Sequence, residues 1–202
     1  MQPYEIVCSP YTVWTAPVGT AFPKVDVAPL APVVGPPAVA GWTQVGTSGN
    51  KNYTDTGVTV THGQTINTFV PAGSTTPRKA WRTGETLTVA FSLADVSPAQ
   101  YALVLDNVAI TTTAPATGVA GNQAFQLMRG VQVNMYALLV RGISSVNEAL
   151  TAQYEVPACY QSGTPAPVYS KANPAELAVQ FEAFELTPGI FGTLRVQTAA
   201  GL

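Results

Sequence analysis

The sequence predicts a mainly β protein, an antiparallel β-sandwich or barrel with one flanking α-helix, and three observations carry that prediction. Between Glu85 and Leu93, the apolar residues Leu87, Val89, Phe91 and Leu93 alternate with Thr86, Thr88, Ala90 and Ser92, the period of two that buries one strand face. Comparable runs recur along the chain without the strand–helix alternation that builds a parallel sheet. A single segment, Ser97 to Asn107, combines a helix start, an apolar stripe and a stop.

The first strand is expected over residues 4–14, YEIVCSPYTVW, with an interruption near Pro10. Residues 16–41 carry prolines throughout; lost ladder donors and a bias to extended backbone make them an arm or surface loop. The Val, Leu, Phe and Ala content of this arm is too apolar for a solvated spacer and points to docking on a neighbour. Residues 42–55 return through Gly46, Gly49 and Asn50. The next strand places Val58, Val60, Ile66 and Val70 on one parity and Thr59, Thr61, Thr65 and Asn67 on the other, with Gly57 at its start and Gly63 a candidate bulge. Residues 71–84 read as a loop too long for a tight hairpin, carrying Arg78, Lys79 and Arg82 around Trp81, which marks a contact surface.

In the helix, Ser97 is placed to cap, Pro98 to occupy the first position and Gln100 to complete a capping box. Tyr101, Val104, Leu105 and Val108 make the stripe, and Asn107 is the end signal. After a Thr-, Ala- and Gly-rich connection over 110–122, strands are expected at 124–129 and 131–141. In the second, Val131, Val133, Met135, Ala137 and Leu139 share a face while Leu138 and Val140 fill the other, as in a central buried strand. Strands at 149–160, 177–186 and 191–198 complete the set, with a polar loop over 161–174. The apolar parity changes within 177–186, the pattern of a strand bending from one sheet into another.

The length fits one domain spanning 1–202, able to bury roughly 70% of its unfolded surface. Charged residues are 10% of the chain, against roughly 25% in ordinary soluble domains, so the exterior looks made to be covered by other subunits. A net charge of −2 and the lack of any basic run argue against a grip on nucleic acid. No apolar stretch reaches bilayer length, and residues 1–10 lack the basic and apolar regions of a signal peptide, which leads to an expectation of a soluble protein in the cytoplasm where it is made. Cys8 and Cys159 belong to no metal-binding spacing; they read as small buried hydrophobes, and a bridge between them is geometrically allowed.

Catalytic chemistry is not expected. His62 is the only histidine, neither cysteine lies in a nucleophile motif, and Glu182 and Glu185 fall on opposite strand faces. No cofactor or metal is expected either.

Taken together, GVTVTHGQTINTFVPAGSTTPRKAWRTGETLTVAFSLAD, SPAQYALVLDN, LLVRGISSVNEALTAQYEVPACY and YSKANPAELAVQFEAFE resemble the major tail protein of long-tailed actinobacterial phages, within the wider tail-tube family. The likeness covers most of residues 42–197, and the Pro-rich arm at 16–41 is the part least matched. It implies a non-contractile virion tail assembled in the host cytoplasm. Its hexameric rings would join inner strands into a closed β-barrel and stack into a tube through which viral DNA passes without specific binding. Tape-measure, tail terminator and tail-tip proteins are the implied partners, with no membrane. In that family the long loop before the helix reaches an adjacent ring, so Arg78, Lys79, Trp81 and Arg82 become inter-ring contact candidates. A DNA conduit should be lined by polar or acidic groups; Thr59, Thr61, Thr86, Thr88, Ser92, Gln153 and Glu155 are the lumen candidates, and the sequence leaves open which sheet faces inward. Two rivals remain: a different virion β-module such as a capsid decoration or receptor-binding domain, and a hydrolase or sugar-binding sandwich, for which no converging polar constellation is visible.

Overall fold

The computed structural model describes residues 11–25, 40–46, 53–94, 96–143 and 151–197. Its strands are β1 (Thr12–Pro17), β2 (Thr43–Gln44), β3 (Tyr53–Phe69), β4 (Lys79–Leu93), β5 (Thr111–Thr113), β6 (Asn122–Ala124), β7 (Met135–Ile143), β8 (Thr151–Gln161), β9 (Leu177–Ala183) and β10 (Thr193–Val196), with one helix, α1 (Pro98–Val104). The protein is mainly β and its strand pairs are antiparallel. One sheet runs β2-β1-β7-β8-β9-β4-β3, and β5 and β6 form a separate hairpin. Among the described residues this path does not close on itself; β2 and β3 are its ends.

Strand β8 gives one edge to β7 and shares the other between β9, at Cys159–Gln161, and β10, at Ala152–Glu155. The register of β7 on β8 slips between Tyr136 and Leu138, where β8 carries one extra residue beside Pro157. A proline has no amide to give a ladder, so a bulge is where a central strand tolerates one.

Side-chain alternation then divides the sheet into two sides. One bears the main core, with Leu87, Val89, Phe91 and Leu93 of β4 meeting Leu177, Val179 and Phe181 of β9 and Leu138 and Val140 of β7. The predicted alternation in 85–93 is therefore present as buried and less buried residues in turn. Helix α1 packs on this side through Val104, with Tyr101 and Leu103 at the margin. The opposite side holds a smaller cluster of Trp14, Ala16, Trp42, Ala137 and Leu139. With both faces covered, β7 is the central buried strand that the sequence predicts.

The helix is shorter than its signals. Ser97 is the N-cap residue and Pro98 opens the first turn, yet Ser97 makes no side-chain capping bond. The capping box is not formed, because Gln100 Oε1 instead accepts the Gly46 N–H at 3.0 Å. Asp106 and Asn107, with φ of 70° and 60°, end the helix in the left-handed region, as the asparagine predicted. Leu105 and Val108 of the expected stripe lie beyond the last helical residue.

Other expectations are corrected. Ala16 and Pro17 belong to β1 rather than to the arm, and residues 1–10, with Cys8, and most of the arm fall outside the described residues. The register breaks in β3 lie at Tyr53/Val58, where Gly57 has φ 64°, and at Thr65/Ile66; Gly63 is in regular pairing with Thr86. The strand expected at 124–129 stops at Ala124 and the one expected at 131–141 starts at Met135, leaving Val131 and Val133 exposed. Strand β9 ends at Ala183, so the parity change in 177–186 reflects exposed Phe184 and Leu186 beyond the strand, not a crossing between sheets. Alternation failed in these segments because apolar residues there face outward.

Candidate assembly surface

Strand β4 pairs with β9 only from Thr88 to Leu93. Beyond that point β3 and β4 continue alone as a two-stranded ribbon, pairing His62–Phe69 with Leu87–Lys79. At the usual strand rise the ribbon projects roughly 25 Å past the sheet. Its tip is the loop of residues 70–78, in which Ser74 N–H donates to Pro71 O at 3.0 Å and Arg78 N–H to Phe69 O at 2.9 Å.

Residues 71–84 are consequently not one loop. Lys79, Trp81 and Arg82 stand in β4, and of the contact candidates only Arg78 lies in the turn. The ladder resumes past a bulge at Thr83, which sits between the Gly84–Thr65 and Arg82–Ile66 pairs. That bulge also fixes the faces. Lys79 opposes Phe69 and Trp81 opposes Asn67 on one face, while Arg82 opposes Ile66 on the other, with Gln64 and Glu85. Arg82 Nε donates to Gln64 Oε1 at 3.1 Å and its guanidinium pairs with Glu85. Trp81 is 44% and Phe69 55% exposed. The four contact candidates are thus brought to one projection but divided between its faces.

The lumen candidates share one side of the sheet. A row of direct partners crosses it, Thr61–Thr88–Glu182–Tyr160–Met135, and alternation puts Thr59, Thr86 and Ser92 on that side with Thr61 and Thr88. Leu139 follows Met135 on the same parity and pairs with Glu155, so Glu155 and Gln153 face the same way. Burial of part of its surface, and Glu182 beside it, raise the Tyr160 phenol above its ordinary value. Thr59, Thr61 and Thr86 are exposed, and Thr88 and Ser92 are half-buried.

Gln153 and Glu155 do not meet solvent; their exposures are 0% and 5%, so a direct lumen-lining role for them is corrected. A strap formed by residues 20–25 lies over them. Gln153 Nε2 donates to Pro23 O at 2.8 Å and to Glu155 Oε1 at 2.7 Å, and the Thr151 hydroxyl donates to Val25 O. Arg195 Nε donates to the same Glu155 oxygen at 2.8 Å. Trp42 Nε1 donates to Ala21 O at 3.0 Å, and its ring lies 5.2 Å from that of Phe22. Period-two reasoning sees polar residues on a strand and reads an exposed face. The only sequence signal of the strap is the apolar content of the arm beside Trp42.

His62 is exposed on the ribbon. Among the described residues no cluster of His, Cys, Asp and Glu is placed to hold a metal ion, and no helix is long and apolar enough to cross a membrane. Cys159 is buried in the main core, and burial pushes its thiol up to about 12. No protein-family model matches the chain, and no curated protein matches its sequence.

Proposed function

We propose that this protein is a structural subunit of a phage tail tube, assembled as hexameric rings that stack around a channel for DNA. The observation that carries the reading is the β3–β4 ribbon, which leaves the sheet without covering strands and exposes Ile66, Phe69, Val70 and Trp81. A two-stranded ribbon is marginal in water on its own, and exposed aromatics at its tip favour a partner surface. Strand β3 is also an end strand, and ring closure across subunits is one way to remove such an edge. The polar side fits a conduit: over Thr59–Thr65 of β3, Gly84–Ser92 of β4 and Ala178–Glu182 of β9, Glu182 is the one charged residue on that side. Within that span no lysine or arginine offers phosphates a cation; Lys79, Arg141 and Arg195 lie on the same side outside it.

Electron microscopy of the purified chain over a concentration series, with light scattering on the same samples, tests this reading. Hollow tubes or six-subunit rings are expected. A stable trimer, or a species that binds capsids and never polymerises, would replace it with a capsid decoration or receptor-binding module.

A further inference from the structure

Behind the helix exit lies an open groove whose lining includes Asp106, Val108, Phe125, Met128, Arg129 and Asn134. Its floor holds a carboxylate served by neutral donors. Asp106 Oδ2 accepts the Asn134 N–H at 3.0 Å, Oδ1 accepts the Tyr136 hydroxyl at 3.5 Å, and Asn134 Nδ2 donates to Asp106 O at 2.7 Å. Arg129 does not neutralise it, because its guanidinium is turned to the Gly163 carbonyl. Leu127, Val131 and Val133, sequence neighbours of the lining residues Met128, Gly130 and Asn134, are all exposed.

The ribbon tip has the complementary make-up. Phe69 and Lys79 are direct partners, Trp81 follows on the same face, and Arg78 is next in the turn. The ion pairs among the described residues are Arg82–Glu85 and Arg195–Glu155, so neither tip cation has an acidic partner there.

Register places these two features at opposite ends of the molecule. In the row joining Thr61 to Met135, β3 runs onward to the tip in the direction in which β7 leaves the groove. The tip is Phe69, beyond Thr61, and the groove contains Asn134, just before Met135. They are separated by roughly 30 Å along the strands. A tip cannot fold back into its own groove, whereas a second copy displaced along the strand direction brings its tip to it, a heterologous contact that repeats without closing.

We infer that the groove behind Asp106 is the seat for the β3–β4 tip of a second copy, with Phe69 and Trp81 against Val108, Phe125 and Met128 and with Lys79 or Arg78 reaching the Asp106 carboxylate. This assignment rests on the tube-subunit reading and supplies that reading's missing receptor.

Disulfide trapping between two full-length proteins tests it, both in a Cys8→Ser background, one carrying Thr75→Cys in the exposed tip turn and the other Gln126→Cys on the groove wall, positions beside the contact residues rather than among them. Microscopy is run on the same mixture. A covalent dimer that forms in the mixture and in neither protein alone is expected, with tubes present. Tubes without that dimer would overturn the seat and leave the tube reading standing. The dimer without tubes would support the seat and remove the tube reading. Neither product would remove both. A Thr164→Cys partner in place of Gln126→Cys serves as control, and equal trapping there would also overturn the seat.

Discussion

Trp81 and Arg82 are neighbours in sequence and stand on opposite faces of the β3–β4 ribbon, because Trp81 pairs with Asn67 and Arg82 with Ile66. Their energetic roles separate accordingly. Trp81→Ala removes exposed aromatic area and is expected to raise the concentration needed for assembly about tenfold or more, with little change in monomer unfolding. Arg82→Ala breaks an exposed ion pair and is expected to change stability by less than about 1 kcal/mol, with a smaller effect on assembly. Light scattering against concentration, with urea unfolding of each variant, checks both. Equal assembly defects would show that the ribbon faces act as one surface.

The strap over β8 gives a second prediction. Gln153→Ala leaves the Pro23 carbonyl and the Glu155 carboxylate each short of a donor in a buried site. A loss of about 1–3 kcal/mol in urea unfolding is expected. Limited proteolysis should then cut after Lys24 faster than in the parent, and unchanged cutting would mean that Trp42 and Phe22 hold the strap alone.

A third concerns high pH. The Tyr136 phenol is raised above its ordinary 10.0 by burial first and then by the nearby Asp106 carboxylate, and the Cys159 thiol is raised from 9.0 to about 12 by burial. Both groups stay protonated in the folded chain at pH values where the unfolded chain has lost those protons. Their contribution is complete below pH 9.0 and is lost as pH rises through that value and toward the folded ones. The urea midpoint should therefore fall from neutral pH to about pH 11. Tyr136→Phe and Cys159→Ala should each flatten that fall, whatever they do to stability at neutral pH.

Close approach at Gly63 gives a fourth. A Cβ there would lie 2.4 Å from Thr86 Oγ1 across the ladder, so Gly63→Ala is expected to cost about 1 kcal/mol by crowding. In a Thr86→Ala background the same substitution should be close to neutral, and a double-mutant cycle in urea reads the difference. Equal costs in the two backgrounds would place the strain in the backbone instead.

The sequence was most legible where one face of a strand is buried and the other is not. Residues 85–93 are the example: Leu87 to Leu93 alternate, and β4 buries them in that order. The Asn107 stop was legible because few residues enter the left-handed region without strain. Legibility failed where the environment is made by something distant. Lys79, Trp81 and Arg82 looked like a loop because no apolar alternation marks a strand whose two faces are both exposed. Gln153 and Glu155 looked like an open polar face because the strap that covers them lies 130 positions away in sequence. Val131 and Val133 looked like core because hydrophobicity alone does not tell a residue buried in its own fold from one left outward.

The Gln153–Pro23 bond joins residues 130 positions apart. On a ribosome, the strap emerges well before its anchoring strand, so residues 20–25 wait while the 130 positions up to Gln153 are made before β8 exists to receive them. Such a closure carries a large contact order and should fall late in folding, after the hairpin of β3 and β4 has formed locally. Until then Trp14, Ala137 and Leu139 lack their roof, and newly made chains would be open to the wrong neighbours at the moment when many copies are produced side by side. A slow final phase in refolding, absent when Gln153 is replaced, would be the kinetic trace of that late closure.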